Sequence, residues 1–355
     1  MKNRIKNLRT KVKEKNLDAF LVTDLTNIRY LTGFTGSNAL LVLTHKNIVL
    51  ITDVRYQEQV KKETRKCKII ISDHGLFESL YKNNILTKAQ TVGFEGSNLI
   101  FNTAQKMKIL FKPIKFIPFN DFIENISLQK DESEISATIK AIEISDKVFS
   151  DMLGIVKPGM TELDISAEIS YKIKKHGAEE ESFKTIVASG INSSMPHAQP
   201  TNKRLKNDES LLMDFGATVR GYRSDMTRTI YFGNVSQKFI EIYNIVLNAQ
   251  TIAIEHVKSG ISCSDLDGVA RDYIAHSGYG DFFKHSLGHG VGLRIHENPR
   301  MSAISKDVLK ENMIITIEPG IYLPNKYGIR IEDNILVQKN GYKNLTKSPK
   351  ELTVL

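Results

Sequence analysis

Apolar and polar positions alternate regularly in the first third of the chain. Four short apolar runs are bounded by polar residues and predict strands: LDAFLV (17–22), NALLVL (38–43), NIVLIT (47–52) and KIIIS (68–72). The polar segment VRYQEQVKKETRK (54–66) lies between the last two runs and predicts a helix. Strands that alternate with helices are typical of an α/β domain.

The pattern changes near residues 127–134. The segment SLQKDESE is polar and charged, and a long helical pattern follows it from about Ile135 to Val156. The chain has 355 residues, whereas a common domain has roughly 100–150. We therefore predict two domains, residues 1–128 and 129–355.

The second part contains an internal repeat. Residues 156–177 (VKPGMTELDISAEISYKIKKHG) align without gaps with residues 257–278 (VKSGISCSDLDGVARDYIAHSG). Each copy predicts the start of a helix with an aspartate, Asp164 or Asp265, in its first turn, where a carboxylate suits the helix dipole. Strand-like segments follow, including FKTIVAS and MPHAQ after the first copy and HSLGHGVGLRIHE after the second. Two helix–helix–sheet units in tandem predict a pseudo-symmetric α+β domain whose sheets face a shared cleft.

Two aspartates interrupt the apolar strand pair LLMDFGATV and SDMTRTIYF. Asp214 and Asp225 are equidistant from a point between Val219 and Arg220. A hairpin that folds there would place them directly opposite on one face, with Cβ atoms about 4.5–5.5 Å apart. Taken alone, this pattern is more typical of aspartates that face solvent.

The second repeat carries a matching pair of acidic residues. Glu318 and Glu332 bracket a turn centred near Asn325. Four inward carboxylates repel one another unless a cation lies between them. With one histidine added, they suit two divalent ions about 3.5–4 Å apart. Oxygen-rich ligation with one nitrogen and no thiolate favours Mn²⁺, Fe²⁺ or Co²⁺ over a structural zinc site.

The histidine comes from residues 285–297 or from the segment SMPHAQP. His197 and His296 fall at nearly corresponding points of the two repeats, which predicts a pair that flanks the metals. His289 is framed by Gly288 and Gly290, and glycine neighbours allow close approach. We therefore predict His289 as the ligand.

Composition and charge limit the other classes of function. Residues 1–128 carry a net charge of +10 (21 Lys and Arg against 11 Asp and Glu), and the remainder carries −1 (28 against 29). The basic residues are scattered and form no nucleic-acid motif, so we predict a solvated surface and no nucleic-acid partner. No run approaches the roughly 20 apolar residues of a membrane helix, and the start has no apolar signal region. Cys67 and Cys263 form no metal or redox spacing, which favours a cytoplasmic location.

At these residues the chain resembles the pita-bread metallopeptidases, in particular the aminopeptidase P and prolidase branch. The matching segments are MPHA, MDFGA, SDMTRT, GHGVG followed by His296, EPGIY and RIEDN. They lie in family order over roughly residues 130–355, and the first third resembles the creatinase-type N-terminal domain, including TDVRY at 52–56. The resemblance implies a creatinase-like α/β domain followed by a pita-bread catalytic domain.

The resemblance also implies a role for each candidate residue. It implies two divalent metal ions, with Mn²⁺ the first expectation and Co²⁺, Fe²⁺ or Zn²⁺ as alternatives. The implied metal ligands are Asp214, Asp225, His289, Glu318 and Glu332, of which Asp225 and Glu332 would bridge the ions. Glu318 would also assist proton transfer. The residues implied around the substrate are His197, His285, His296, Tyr322 and Arg330.

The expected activity is that of an aminopeptidase P, which removes the first residue from peptides with proline at the second position. We prefer it because the chain is short and has no evident insertion to cap the cleft. The alternative is a prolidase, which splits Xaa-Pro dipeptides, and the metal site does not separate the two. A metal-free hydrolase or a non-catalytic binding protein of the same fold is a remote alternative, because all five ligand positions are occupied. A homodimer is expected, since a neighbouring N-terminal domain often helps to close the pocket in this family.

Overall fold

The computed structural model of the chain describes residues 2–355 and divides into two compact units. The first unit ends at Ser127, and the second runs from Leu128 to Leu355. No helix within residues 2–355 is both long enough and apolar enough to traverse a lipid bilayer.

The first unit is built on one six-stranded sheet. Its strands are β1 (Ala19–Val22), β2 (Ala39–Thr44), β3 (Ile48–Asp53), β4 (Lys68–Ser72), β5 (Thr91–Glu95) and β6 (Lys115–Phe119), in the order β4-β3-β2-β1-β5-β6. The pairs β1–β2 and β2–β3 are antiparallel and the others are parallel. The strands β1, β2 and β3 are buried at nearly every position, which explains their continuous apolar runs.

Six helices accompany this sheet among the described residues of the first unit. They are α1 (Lys2–Glu14), α2 (Leu25–Thr32), α3 (Gln57–Glu63), α4 (Leu76–Lys82), α5 (Phe101–Leu110) and α6 (Glu124–Ser127). The helix predicted over 54–66 is shorter than expected, because residues Val54–Tyr56 form a 3₁₀ turn before α3 begins. Asp53 starts this turn by accepting a hydrogen bond from the Arg55 amide (3.0 Å). The predicted α/β character of this part is confirmed.

The second unit repeats a pair of helices followed by a sheet. The helices are α7 (Glu132–Leu153), α8 (Glu162–Lys175), α9 (Gln237–Glu255) and α10 (Cys263–His276). The first repeat contributes β7 (Glu180–Glu181), β8 (Ile186–Ser189), β9 (Glu209–Phe215), β10 (Ala217–Val219), β11 (Tyr222–Arg223) and β12 (Met226–Phe232). The second contributes β13 (Gly288–Gly290), β14 (Glu297–Met301), β15 (Ile314–Ile317), β16 (Gly320–Leu323), β17 (Tyr327–Arg330), β18 (Asp333–Gln338) and β19 (Gly341–Asn344).

The predicted repeat is therefore present, with one apolar core in each copy. In the first copy, Phe149 and Ile169 from the helices pack with Met213 of β9. In the second copy, Ile274 packs with Ile315 and other residues of the sheet. Asp164 and Asp265 lie in the first turns of α8 and α10, as the sequence predicts.

Two segments predicted as strands are mostly irregular. MPHAQ (195–199) forms a turn, closed by a hydrogen bond from the Ala198 amide to the Met195 carbonyl (3.1 Å). Pro196, the second residue of this segment, has no N–H to give to a sheet ladder, which explains the difference. In HSLGHGVGLRIHE, only Gly288–Gly290 and the final glutamate belong to strands, so most of the segment is a loop.

Candidate metal centre

The predicted ligands converge in the second unit from both repeats. Asp225, His289 and Glu332 each offer one ligand atom, and these three atoms all lie within 4.8 Å of one another. Asp225 directly precedes β12, His289 lies in β13, and Glu332 directly precedes β18. The two halves of the pseudo-symmetric domain therefore share one acidic cluster.

The predicted face-to-face pairing of Asp214 with Asp225 is wrong. The observed register pairs Asp214 with Thr227, because the turn of this hairpin lies one residue further along the chain. Arg220 (φ 51°) and Gly221 (φ 81°) form a two-residue turn with two positive φ angles, the type that fits the twist of a hairpin. Asp225 lies two residues from Thr227, so it remains on the face of Asp214 but is offset along the strand.

The second hairpin follows its predicted register. Gly320 pairs with Arg330 and Ile317 pairs with Asp333, so the hairpin is centred on Asn325. Glu318 and Glu332 lie at matching positions between these two pairs. Both carboxylates are thus brought to the same place by the register alone.

Burial raises the pKa of every carboxyl group in this cluster. Burial first, and then the neighbouring carboxylates, raise the pKa of Asp225 and of Glu332 well above the usual range. Burial also raises the pKa of Glu318 to about 8 and raises that of Asp214. Four carboxyl groups that resist ionisation side by side need a positive charge to stabilise their charged forms, and a multivalent cation can supply it.

Two carboxylate oxygens in the cluster lack a hydrogen-bond partner. Asp214 Oδ1 and Glu332 Oε1 are buried, and within residues 2–355 neither accepts a hydrogen bond. A buried polar atom without a partner costs free energy, so such atoms call for an explanation. Buried carboxylate oxygens without a hydrogen-bond partner, in a cluster dominated by carboxylates, fit a hard or borderline divalent cation.

His289 presents its Nε2 atom to the carboxylates. Its Nδ1 lies 3.0 Å from the Gly290 carbonyl oxygen, so Nδ1 carries the proton and donates it. Its Nε2 lies 3.5 Å from Asp225 Oδ2 and 3.4 Å from Glu318 Oε1. Burial lowers the pKa of His289 to about 4, which leaves the ring neutral with a free lone pair at Nε2. This is the state that a metal-binding histidine requires.

Two threonines that the sequence reasoning missed hold the carboxylates. Thr227 Oγ1 donates to Glu332 Oε2 (2.8 Å), and Thr316 Oγ1 donates to Glu318 Oε1 (3.2 Å). Thr316 Oγ1 also accepts the backbone amide of His289 (3.1 Å). Each threonine lies two residues from an acidic residue, and this period of two could have placed them on the same face of a strand.

A hydrogen-bonded chain leads away from the cluster through Arg330. This buried guanidinium donates to Asp214 Oδ2 and, over 2.7 Å, to the Tyr322 hydroxyl. Tyr322 lies 3.0 Å from Nε2 of His285, whose Nδ1 lies 2.9 Å from the Ser286 carbonyl oxygen. Burial lowers the pKa of His285 to about 3 and raises that of Tyr322 to about 12. The tyrosine therefore donates to a neutral His285 and accepts from Arg330.

Comparison with known proteins places both units in known families. Residues 136–339 match Metallopeptidase family M24, and residues 4–126 match the Creatinase/Prolidase N-terminal domain. The chain belongs to metallopeptidase family M24. The family resemblance and the fold class that the sequence predicted are thereby confirmed.

The M24 chain is similar to proline peptidases over its full length. It is 38% identical over 354 residues to an Xaa-Pro dipeptidase from Pyrococcus furiosus, which covers 99% of this chain and 100% of that protein. The solved Xaa-Pro dipeptidase from Bacillus anthracis is 38% identical, with a TM-score of 0.96 over 99% of both chains. An X-Pro aminopeptidase from Thermotoga maritima is 37% identical, with a TM-score of 0.91 over 96% of this chain and 98% of that chain.

Membership of family M24 implies divalent metal ions, and the buried Asp225, His289 and Glu332 group fits such a site. Two exposed histidines of this metallopeptidase, His197 and His296, lie near the cluster. The rings of His289 and His296 are 4.4 Å apart between centroids and almost perpendicular. Burial lowers the pKa of His296, although its ring still reaches solvent. His197 lies in the 195–198 turn.

The structure thus brings the predicted site residues of the M24 enzyme into one region. The surroundings of one of them, His285, differ from the prediction. His285 was expected to face the substrate, but its Nε2 already accepts a hydrogen bond from Tyr322. Of the four histidines near the cluster, His197 and His296 are exposed, whereas His285 and His289 are half-buried. The roles of these residues in binding and catalysis stay predictions.

Proposed function

We propose that this M24 metallopeptidase is an Xaa-Pro dipeptidase. The proposal differs from the aminopeptidase P activity that we preferred from the sequence and adopts its alternative. The comparisons support the dipeptidase more strongly, since two of the relatives described above are Xaa-Pro dipeptidases. The aminopeptidase remains the second candidate because of the similar Thermotoga maritima protein.

The argument from chain length does not separate the two activities. We preferred an aminopeptidase because no insertion caps the cleft. The Pyrococcus furiosus dipeptidase, however, is matched from end to end by this chain, so a dipeptidase needs no such insertion. We therefore propose that individual side chains near the metal centre make the distinction.

Arg300 is the side chain whose position carries the proposal. It is the direct cross-strand partner of His289 in the β13–β14 pair, so both side chains lie on the same face of the sheet. Arg300 is exposed. Within residues 2–355 its side chain makes one hydrogen bond, in which Nε donates to Ser286 Oγ (3.2 Å). The terminal nitrogens of the guanidinium are thus available to a ligand. In an Xaa-Pro dipeptide, the proline that follows the scissile bond carries the free carboxylate. A guanidinium can bind this carboxylate with two hydrogen bonds.

The proposed metal ligands are Asp214, Asp225, His289, Glu318 and Glu332, and Asp225 and Glu332 are our candidates for carboxylates shared by two ions. Divalent ions held there would lower the pKa of a water molecule and polarise the scissile carbonyl. We propose Mn²⁺ on the strength of the oxygen-rich donor set, with Co²⁺, Fe²⁺ and Zn²⁺ as alternatives.

The protein's own groups would move the proton and hold the substrate. The Xaa-Pro bond is a tertiary amide, so its nitrogen leaves as an amine that must receive a proton. Glu318 is our candidate for this transfer, because Thr316 orients its Oε1 and His289 lies beside it. His197 and His296 would orient the peptide from the solvent side, while Arg330 and Tyr322 hold Asp214 and His285 in place.

One experiment separates the two activities. Protein loaded with Mn²⁺ is incubated with Xaa-Pro dipeptides and with Xaa-Pro-Xaa tripeptides, and the products are separated by chromatography. We expect cleavage of the dipeptides. The variant Arg300→Gln should raise KM for dipeptides by about tenfold, since a hydrogen bond to a charged group contributes about 1.5–3 kcal/mol. Cleavage of tripeptides alone, with no effect of Arg300→Gln, would establish an aminopeptidase P instead.

We also propose a homodimer and a cytoplasmic location. Cys67 and Cys263 are both free thiols, which agrees with a reducing compartment. Light scattering of the purified protein tests the dimer, and a monomeric mass at micromolar concentration would contradict it.

A further inference from the structure

Arg228 on β12 is a buried cation outside the metal cluster, and its side chain is only 1% exposed. A guanidinium has five N–H groups to donate. Each of the five has an acceptor at ordinary hydrogen-bond distance. The acceptors are the carbonyl oxygens of Thr227 (2.9 Å), Glu332 (2.6 Å), Ser348 (2.8 Å) and Pro349 (2.8 Å), and Asp333 Oδ1 (2.7 Å).

These acceptors come from both halves of the metal centre. Thr227 belongs to the first repeat, and its hydroxyl donates to the Glu332 carboxylate. Glu332 belongs to the second repeat and is one of the proposed ligands. A single nitrogen, Nη1 of Arg228, donates to the backbone carbonyls of both residues. One rigid, planar group, the Arg228 guanidinium, therefore fixes the distance between the backbones of Thr227 and Glu332.

The positive charge of Arg228 is balanced by Asp333, which is fully buried. Asp333 Oδ2 accepts a further hydrogen bond from Asn344 Nδ2 (2.8 Å) and lies 3.5 Å from Lys350 Nζ. A buried ion pair with its remaining donors and acceptors satisfied holds one geometry and resists displacement.

The other acceptors of Arg228 belong to the C-terminal strap, which we define as residues 347–355. Asp146 on α7 anchors the start of this strap by accepting from the Ser348 amide (2.8 Å) and hydroxyl (2.6 Å). Tyr243 on α9 donates to the Lys350 carbonyl (2.8 Å). The end of the strap runs beside β12, where the Leu355 amide donates to the Tyr231 carbonyl (2.9 Å). Arg228 thus links this strap to the metal centre.

We propose that Arg228 is a positioning residue that fixes Glu332 against Thr227 and makes the C-terminal strap part of the metal-centre scaffold. The proposal rests on the proposed metal centre. Within residues 2–355 the hydrogen bonds of Arg228 reach no ligand carboxylate, so it acts through the backbones of Thr227 and Glu332. Mutation of a residue that orients a metal ligand commonly lowers metal affinity or activity by about 10- to 100-fold.

The test compares Arg228→Lys with Tyr243→Phe. A lysine keeps the charge beside Asp333, but a single ammonium group has three N–H donors and cannot reach five acceptors. The control Tyr243→Phe removes a buried hydrogen bond to the same strap without touching Thr227 or Glu332. Mn²⁺ binding to metal-free protein is measured by calorimetry, thermal unfolding is measured without metal, and kcat and KM are measured with an Xaa-Pro dipeptide.

We expect Arg228→Lys to weaken Mn²⁺ binding by about 10- to 100-fold. It should lower kcat with little change in KM, and excess Mn²⁺ should restore part of the loss. Tyr243→Phe should lower the unfolding temperature but keep Mn²⁺ affinity within about twofold, since it leaves the Arg228 contacts in place. If Arg228→Lys does not fold, the double variant Arg228→Gln with Asp333→Asn removes both charges and gives the same comparison.

Wild-type Mn²⁺ affinity in Arg228→Lys would overturn the inference. So would equal losses of affinity in Arg228→Lys and Tyr243→Phe, because the strap would then contribute general stability only. A wild-type protein that bound no divalent metal would overturn the proposed function, and this inference with it, so the two failures are distinguishable.

Discussion

Metal binding to this protein should release protons, and their number follows from the raised pKa values of the buried carboxyl groups. The pKa of Glu318 is about 8, so without metal about nine tenths of this group is protonated at pH 7. At pH 9 about one tenth is protonated. A cation binds the carboxylate form, so each bound ion displaces whatever proton the ligand holds.

The pKa values of the other proposed ligands decide whether they also release protons when metal binds. Asp225 and Glu332 also have raised pKa values, so they add to the release. His289, with a pKa of about 4, is already unprotonated at pH 7 and adds nothing. We therefore expect proton release at pH 7, to which Glu318 contributes about 0.9 proton, and a contribution from Glu318 that falls to about 0.1 proton at pH 9.

Calorimetry measures this release directly. Mn²⁺ is titrated into metal-free protein at one pH in two buffers that differ in ionisation enthalpy, such as PIPES and Tris. The slope of the observed enthalpy against the buffer ionisation enthalpy gives the number of protons released. The variant Glu318→Gln should release about 0.9 proton fewer at pH 7. Binding without proton release at pH 7, or release that grows from pH 7 to pH 9, would refute the reasoning.

Three further predictions concern the same centre. His289→Ala should lose bound metal, as measured by elemental analysis after dialysis, whereas His296→Ala should keep metal and lose turnover. Loss of metal in both would show that His296 is also a ligand. Gly288→Ala should cost about 1–3 kcal/mol of unfolding free energy, because its Cβ would lie 2.0 Å from a backbone oxygen of β15. The control Gly154→Ala, whose nearest neighbour would be at 3.6 Å, should cost much less in the same urea titration. Finally, the folded protein without metal holds the Glu318 proton more tightly than the unfolded chain does. Binding of this proton therefore stabilises the folded state fully below the pKa that Glu318 has in the unfolded chain, and this stabilisation is lost as pH rises through about 8. The urea midpoint of metal-free Glu318→Gln should therefore fall less than that of the wild type between about pH 6 and pH 8; equal falls would contradict this.

The sequence by itself determined where several strands lie, that the second part repeats, and where one of the two acidic hairpins turns. The apolar runs specified β1–β4, because a period of two or a continuous apolar run follows from what each face of a strand contacts. The repeat at an offset of 101 predicted two matching halves. The spacing of Glu318 and Glu332 about Asn325 predicted their hairpin correctly, since in a simple hairpin the register follows from the position of the turn.

Tertiary structure decided the features that depend on exact register, burial and contacts between distant segments. The turn at Arg220 and Gly221 moved Asp214 opposite Thr227, and a shift of one residue in a turn is not visible in an apolar pattern. The raised pKa values of the carboxyl groups arise from the removal of water by both repeats together, so no local segment encodes them. Four of the five acceptors of Arg228 lie more than a hundred residues from it in the chain, and only the folded chain brings them to one guanidinium.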